Sequence, residues 1–175
     1  MAEPDSGFRV VPLSDDLDRS SFRSGVEALD RYLWQQAGQD KRRGVAVPHV
    51  LLDGAGRILG YYTLSALSLV ATGLPPDVAR KLPRYPSLPS LLIGRLAVDE
   101  RQRGQGLGRL LLLDALSRCA SIAREAGCIG VVVDGKDDTA RAFYEHYGFI
   151  RLPDAERRLF LPMGTVRAML GEGKH

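Results

Sequence analysis

The stretch LIGRLAVDERQRGQGLGRLLLL, Leu92–Leu113, decides how the rest of the chain is read. The apolar run from Leu91 to Val98 predicts a strand, Asp99 to Arg103 its exit, and Gly104-Gln105-Gly106-Leu107-Gly108 a tight loop. An apolar helix then begins near Leu107. Strand, glycine loop and helix in that order form an anion cradle. Glycines bare the backbone N–H groups, and the helix N-terminus adds a partial positive charge. This points to a nucleotide-like ligand. Two other phosphate loops fail on spacing. A P-loop needs Lys followed by Ser or Thr after its second glycine, and neither pair occurs. A dinucleotide fingerprint needs glycine at positions one, three and six, but counting from Gly104 the sixth is Arg109. The competing plain reading is a glycine-rich βα turn with no ligand.

A second constellation follows, Ala142-Phe143-Tyr144-Glu145-His146-Tyr147-Gly148-Phe149. Phe143, Tyr147 and Phe149 read as core, with Gly148 as a helix C-cap. Phe143 and Tyr147, four apart, share a face, and Tyr144 is rotated off it by about a third of a turn. A phenol with a pKa of about 10 is protonated at neutral pH, as a general acid must be.

Between these landmarks the pattern is mixed α/β. Phe8–Leu13 reads as a first strand. Ser24-x-x-Glu27 reads as a capping box opening a helix with Val26, Leu29, Leu33 and Trp34 on one face. Val50–Leu52, the turn Asp53–Gly56 and Ile58–Leu67 form a hairpin. A proline-punctuated segment, Leu74–Pro89, holds a short helix over Asp77–Lys81. Leu112, Leu116, Cys119, Ala123 and Ala126 line one face of a long helix ended by Gly127. Cys128–Val133 reads as a buried strand, Asp138–Tyr147 as a helix, and Phe149–Leu152 and Leu159–Pro162 as closing strands.

The two constellations, some 40 residues apart, together resemble the GNAT (Gcn5-related) acetyltransferases. The shared marks are Arg101-x-x-Gly104-x-Gly106 followed by Leu107-Gly108, and Phe143-Tyr144-x-x-x-Gly148-Phe149. The resemblance runs from about Phe22 to Met163. It implies one α/β domain of mixed α+β type over residues 1–175. Its central sheet would be mixed, mostly antiparallel, splayed between strands four and five, and flanked by helices. It implies acetyl-CoA as co-substrate and no metal. Main-chain groups of Leu96, Ala97 and Val98 would hold the pantetheine arm. Arg103, Gly104, Gln105, Gly106, Leu107, Gly108 and Arg109 would surround the pyrophosphate, with Phe143 beside the cofactor. Tyr144 would protonate the departing thiolate.

Further stretches resemble the TacT-like toxins of bacterial type II toxin–antitoxin pairs. They are Ala28–Leu33, Gly60–Ser65, Leu82-Pro83-Arg84-Tyr85-Pro86, Gly94–Asp99 and Leu159–Met163. That group acetylates the α-amine of aminoacyl-tRNA and stops translation. The resemblance implies a ribbon-helix-helix antitoxin, operator DNA reached only through the toxin–antitoxin complex acting as repressor, and a homodimer. Two positions depart from the group: Ser24-Gly25 stands where Cys-Gly is common, and Val133-Asp134-Gly135-Lys136 where Ala commonly precedes Lys. Neither touches the proposed acid or the glycine loop.

Length and composition fit this reading. At 175 residues, 45% apolar and 26% charged, the chain suits a globular domain. No run approaches the roughly 20 apolar residues of a membrane span, and no basic-then-apolar leader opens it, so the expected location is cytoplasmic, away from membranes. Cys119 and Cys128 read as reduced core residues, and His49, His146 and His175 are too scattered for a metal site. The net charge of +3 hides an excess of arginine, 20 against 4 lysines. Arginine suits phosphate, though a GC-rich genome also favours its codons. Arg42, Arg43, Arg84 and Arg95 are the candidates for RNA contact, each with an ordinary reading as a solvated charge or ion pair.

An α-amine with a pKa near 7.7–8.0 is partly neutral at physiological pH and can attack a thioester without a dedicated base. Lysine, near 10.4, would lean harder on one. The leading expectation, implied by the resemblance and compatible with this chemistry, is an aminoacyl-tRNA N-acetyltransferase toxin. The alternatives are a GNAT acting on a protein N-terminus or a small amine, and a non-catalytic acyl-CoA-binding module.

Overall fold

A computed structural model of the chain describes residues 7–153, 155 and 157–172. Seven strands hydrogen-bond in the order β1-β2-β3-β4-β5-β7-β6. They are β1 (Arg9–Pro12), β2 (Val47–Leu52), β3 (Ile58–Val70), β4 (Ser87–Val98), β5 (Gly130–Asp134), β6 (Ile150–Arg151) and β7 (Arg158–Pro162). The helices are α1 (Glu27–Arg31), α2 (Ala37–Arg42), α3 (Pro76–Ala79), α4 (Leu107–Ala123), α5 (Asp138–His146) and α6 (Met163–Met169). The described residues fall into two compact units, one within 1–65 and 95–115, the other within 66–94 and 116–175.

In the first unit β1, β2 and the start of β3 form an antiparallel meander, with Val11 opposite Val50 and Val50 opposite Tyr61. The Asp53 carboxylate closes the hairpin by accepting from the N–H groups of Ala55 and Arg57, each at 2.9 Å. The core gathers Phe22, Leu29, Tyr32, Leu33, Val50, Leu52, Tyr61 and Ala97. Tyr61 is fully buried, yet its hydroxyl donates to the Leu29 carbonyl at 2.6 Å, so its burial leaves no polar atom unmatched.

The helical entry differs from the capping-box expectation. Val26 precedes α1 with no side-chain cap and is exposed rather than facing the core. The Ser24 hydroxyl instead donates to Asp30 at 2.6 Å and accepts from the Val26 N–H at 3.1 Å. A π-helical turn over Tyr32–Gln36 joins α1 to α2. This register shift buries Tyr32 and leaves Trp34 half-buried, where the Arg23 guanidinium covers its ring.

In the second unit β4 runs parallel to β5 through Leu91–Val131, Leu92–Val132 and Ile93–Val133. There the pairing ends, while β4 continues as Gly94–Val98. The strand begins at Ser87, earlier than Leu91, and includes Pro89. Proline lacks an N–H but keeps its acceptor, and the Pro89 carbonyl takes the Ile129 N–H at 2.9 Å. β5 begins at Gly130 rather than Cys128 and pairs antiparallel with β7. The Leu74–Pro89 segment packs into this unit, with Leu74, Val78, Leu82 and Leu88 clustered on Leu69, Val132 and Phe160.

Along α4 the buried positions are Leu107, Leu111, Leu112, Ala115, Leu116, Cys119 and Ala120. The helix ends at Ala123, short of Gly127. Ala126 is exposed, and turn bonds from Arg124, Glu125 and Ala126 take over from the helical ladder.

Candidate active site

The glycine loop is fixed from behind by Asp99, which is 1% exposed. Its own N–H donates to the Leu59 carbonyl at 2.8 Å. Its carboxylate caps the 3₁₀ turn Glu100–Gln102 through the Arg101 N–H at 2.9 Å. It also accepts from Arg101 Nε and Nη2 at 2.9 Å and from the Arg23 N–H at 3.2 Å. The Arg101 side chain, with these main-chain donors, holds the Asp99 carboxyl down to about 2. Arg101 extends the attachment by donating to the Ser21 carbonyl at 2.9 Å, and the Glu100 N–H donates to the Arg23 carbonyl at 2.8 Å. Arg103 Nη2 donates to the Ser24 carbonyl at 2.8 Å. Strand exit and loop are thus stitched to Ser21–Ser24, so the Ser24 departure, expected to lie clear of the loop, in fact backs it.

From this base Gly104 (φ 82°) and Gly106 (φ 75°) adopt the left-handed conformation that side chains resist. Leu107 is buried and anchors the helix start, and the Leu110 N–H closes the first helical bond to the Gly106 carbonyl at 3.1 Å. The N–H groups of Leu107, Gly108 and Arg109 have no intrahelical acceptor by geometry, at the positive end of a 17-residue helix. Gly104, Gln105, Gly106 and Arg109 are exposed. These groups fit an anionic pyrophosphate. Upstream, Ala97 is buried, and Leu96 and Val98 are half-buried.

In the second unit α5 is capped by Asp137, whose carboxylate accepts from the Ala140 N–H at 2.8 Å. Gly148 (φ 94°) ends it. The face of this helix is the reverse of that read from the sequence. Tyr144 is buried at 4% exposure, while Phe143 and Tyr147 are half-buried. Tyr144 lies edge-on to Phe143 and Phe149, with centroids 5.3 and 5.5 Å away. Phe149 is core as expected. Burial first, and the Asp134 charge second, raise the Tyr144 phenol above its ordinary value of 10. Its hydroxyl has no hydrogen-bond partner among the described residues. The second unit therefore holds a buried, protonated phenol with its donor unspent.

The four arginines differ. Arg42 is exposed and pairs with Asp15 at 3.7 Å. Arg43 is exposed. Arg84 is exposed beside Tyr85 on the rim of a cleft of about 520 Å³. Arg95 is half-buried, its guanidinium stacked on the Tyr32 ring. Sequence reading missed Ser21 and Asp99 as loop supports, and had Ser24 only as a helix cap and Arg101 only as part of the glycine motif. An Asp ending an apolar strand just before a glycine loop was the available signal for a cap.

Cys119 is buried, Cys128 half-buried, and both are free thiols. Among the described residues no three His, Cys, Asp or Glu side chains gather as a metal set. His49 stacks on Tyr62, and His175 lies outside the described residues. No described helix is long and apolar enough to cross a membrane.

Residues 48–151 match the acetyltransferase (GNAT) domain family. The chain belongs to the GNAT acetyltransferases and is an N-acetyltransferase. It is 37% identical over 160 residues to the tRNA-acetylating toxin of Mycobacterium tuberculosis (strain ATCC 25618 / H37Rv), covering 91% of this chain and 95% of that protein. Its fold matches AtaT complexed with acetyl-methionyl-tRNAfMet, with a TM-score of 0.86, 30% identity, and 93% and 99% of the two chains covered. A tyrosine-to-phenylalanine mutant of the AtaT toxin, bound to the C-terminus of the antitoxin AtaR and acetyl-CoA, matches with a TM-score of 0.80 and 26% identity, covering 94% and 98%.

Proposed function

We propose that this protein transfers the acetyl group of acetyl-CoA to the α-amine of aminoacyl-tRNA and so acts as a translation-blocking toxin. Similarity to a tRNA-acetylating toxin across nearly the whole chain is the observation that carries this reading. In it, the amides of Gly104–Gly108, with Arg103 and Arg109, receive the pyrophosphate. The β4 main chain at Leu96, Ala97 and Val98 receives the pantetheine arm, with Phe143 beside it. Arg42, Arg43, Arg84 and Arg95 serve the RNA.

The neutral amine attacks the thioester carbonyl, forming the C–N bond. A β4 amide polarises the carbonyl oxygen as negative charge builds there. The C–S bond then breaks, and Tyr144 gives its proton to the leaving sulfur. The amine loses one proton to water, and the Tyr144 phenolate recovers one from solvent. The raised pKa of Tyr144 keeps the phenol loaded between turnovers.

A toxin of this kind works in the cytoplasm, where charged tRNA is found. Its partners are a ribbon-helix-helix antitoxin, and operator DNA through the complex with it. The AtaR-bound neighbour supports the antitoxin part. Self-association as a homodimer rests on the resemblance to the toxin group.

The test is transfer of labelled acetyl from acetyl-CoA to a pool of charged tRNA, with uncharged tRNA and Tyr144→Phe as controls. Label is expected on charged tRNA alone and to be lost in the variant. Label on uncharged tRNA, or none on either despite tight acetyl-CoA binding, would overturn the substrate assignment.

A further inference from the structure

Arg95 shares its face of β4 with Ala97, which packs among Phe22, Leu29, Tyr32 and Tyr61. Its main-chain N–H donates to Thr63 Oγ1 at 3.1 Å, fixing where the side chain starts. The guanidinium carbon lies 3.6 Å from the Tyr32 ring centroid. Tyr32 is itself immobilised. Its hydroxyl donates to Asp40 at 2.8 Å, and the other Asp40 oxygen accepts from Gln36 at 3.0 Å. Its ring stacks on Tyr61, 6.2 Å between centroids and 17° from parallel.

Stacking uses only the flat face of the guanidinium. The five N–H donors lie along its edge, and the Arg95 side chain gives none of them to a described residue. Asp40 is the acid it interacts with, and Asp40 also feels Arg43. Arg95 and Arg43 both act on this one carboxylate, while Asp30, which also acts on Tyr61, is buried and accepts from the Ser24 N–H and hydroxyl. An oriented, half-buried guanidinium with unspent donors is a receptor for an oxyanion that offers two oxygens at once.

We propose that Arg95, laid on Tyr32, is a preformed receptor for a phosphodiester near the 3′ end of the charged tRNA, with Arg43 supplying the second charge. This rests on the charged-tRNA reading above. The aminoacyl ester hangs on the terminal ribose, so the phosphates that accompany the reacting amine are those of the last nucleotides. Asp40 holds the platform in place and competes with the phosphate for Arg95.

The probe is a labelled RNA hairpin ending in unpaired CCA, bound by the full-length protein over a salt series. Arg95→Gln is expected to weaken binding about ten- to a hundredfold. It should also lower the slope of log affinity against log salt by about one. Arg95→Lys keeps the slope but loses part of the affinity, because the fork is gone. Asp40→Asn retains an acceptor for Tyr32 and removes the competing charge, so it should tighten binding severalfold, which a folding defect would not do. Arg95→Gln with unchanged affinity and slope would overturn the receptor. So would an acidic peptide that loses binding in Arg95→Gln while the hairpin does not. Arg95-dependent hairpin binding without acetyl transfer to charged tRNA would instead overturn the function and leave the receptor standing.

Discussion

Arg103, the residue just before the glycine loop, donates from its guanidinium to the Ser24 carbonyl at 2.8 Å. The contact joins positions 79 apart in sequence. Ser24 is in turn held by Asp30, through both its N–H at 2.8 Å and its hydroxyl at 2.6 Å. The chain entering α1 is therefore the backing on which the loop is built. Arg103, expected from resemblance as a cofactor contact, has a positioning duty as well.

Asp99→Asn tests the anchor of this assembly. Its carboxyl lies at about 2 in the folded protein against an ordinary 3.8. A depressed pKa contributes stability that is present above about 4 and fades as pH falls toward 2. The variant should lose about 1–2 kcal/mol at neutral pH, since Arg101 on the other side is solvent-exposed. Urea midpoints should differ equally at pH 7 and pH 5, and the difference should shrink below pH 4 and vanish only toward pH 2. The KM for acetyl-CoA should rise more than kcat falls.

Gly106→Ala places a side chain at φ 75°. The left-handed conformation costs an alanine about 1–2 kcal/mol. The loop will relieve this by turning its amides, so acetyl-CoA affinity by calorimetry should fall about tenfold while the thermal midpoint moves little.

Tyr144→Phe removes one oxygen from a buried ring. With no hydrogen bond to lose, its stability should match wild type. Loss of a positioned general acid should lower kcat by about 10²–10⁴-fold with little change in acetyl-CoA KM. Because the phenol titrates above 10, kcat/KM should rise through the amine pKa near 8 and show no fall up to about pH 9.5.

The two thiols should separate in alkylation. Burial pushes Cys119 up to about 12, and it is shielded, whereas Cys128 is half-buried. Mass spectrometry under native conditions should find iodoacetamide on Cys128 first, and on Cys119 only after unfolding. Equal rates would contradict the packing of α4.

Gly130→Ala should destabilise the β5–β7 pair. A Cβ there would lie 2.5 Å from the Leu161 carbonyl oxygen and from the Phe160 ring. Overpacking of this kind costs about 1–3 kcal/mol, read as a lowered urea midpoint with an unchanged slope.

What the sequence determined by itself was local. The glycine loop, the start of α4, the Asp53 hairpin and the Gly148 stop depend on φ preferences and on donors within a few residues. The acetyltransferase family was legible for the same reason: its two motifs are each continuous. Contacts between distant segments set the rest. The burial of Tyr144 could not be read from helical spacing, because Phe143 and Tyr144 are both apolar enough to face inward. Their order depends on where Phe149 and the rest of the second core lie. Ser24 looked like a helix cap, but Asp30, reached through α1, competes for its hydroxyl and N–H. The π-helical turn at Tyr32–Gln36 is a register choice that places Tyr32 under Arg95, and nothing in the local pattern requires it. Pro89 entered a strand because its acceptor, not its absent donor, faces Ile129. Short-range rules set each piece of the site, and packing set which side chain each piece presents.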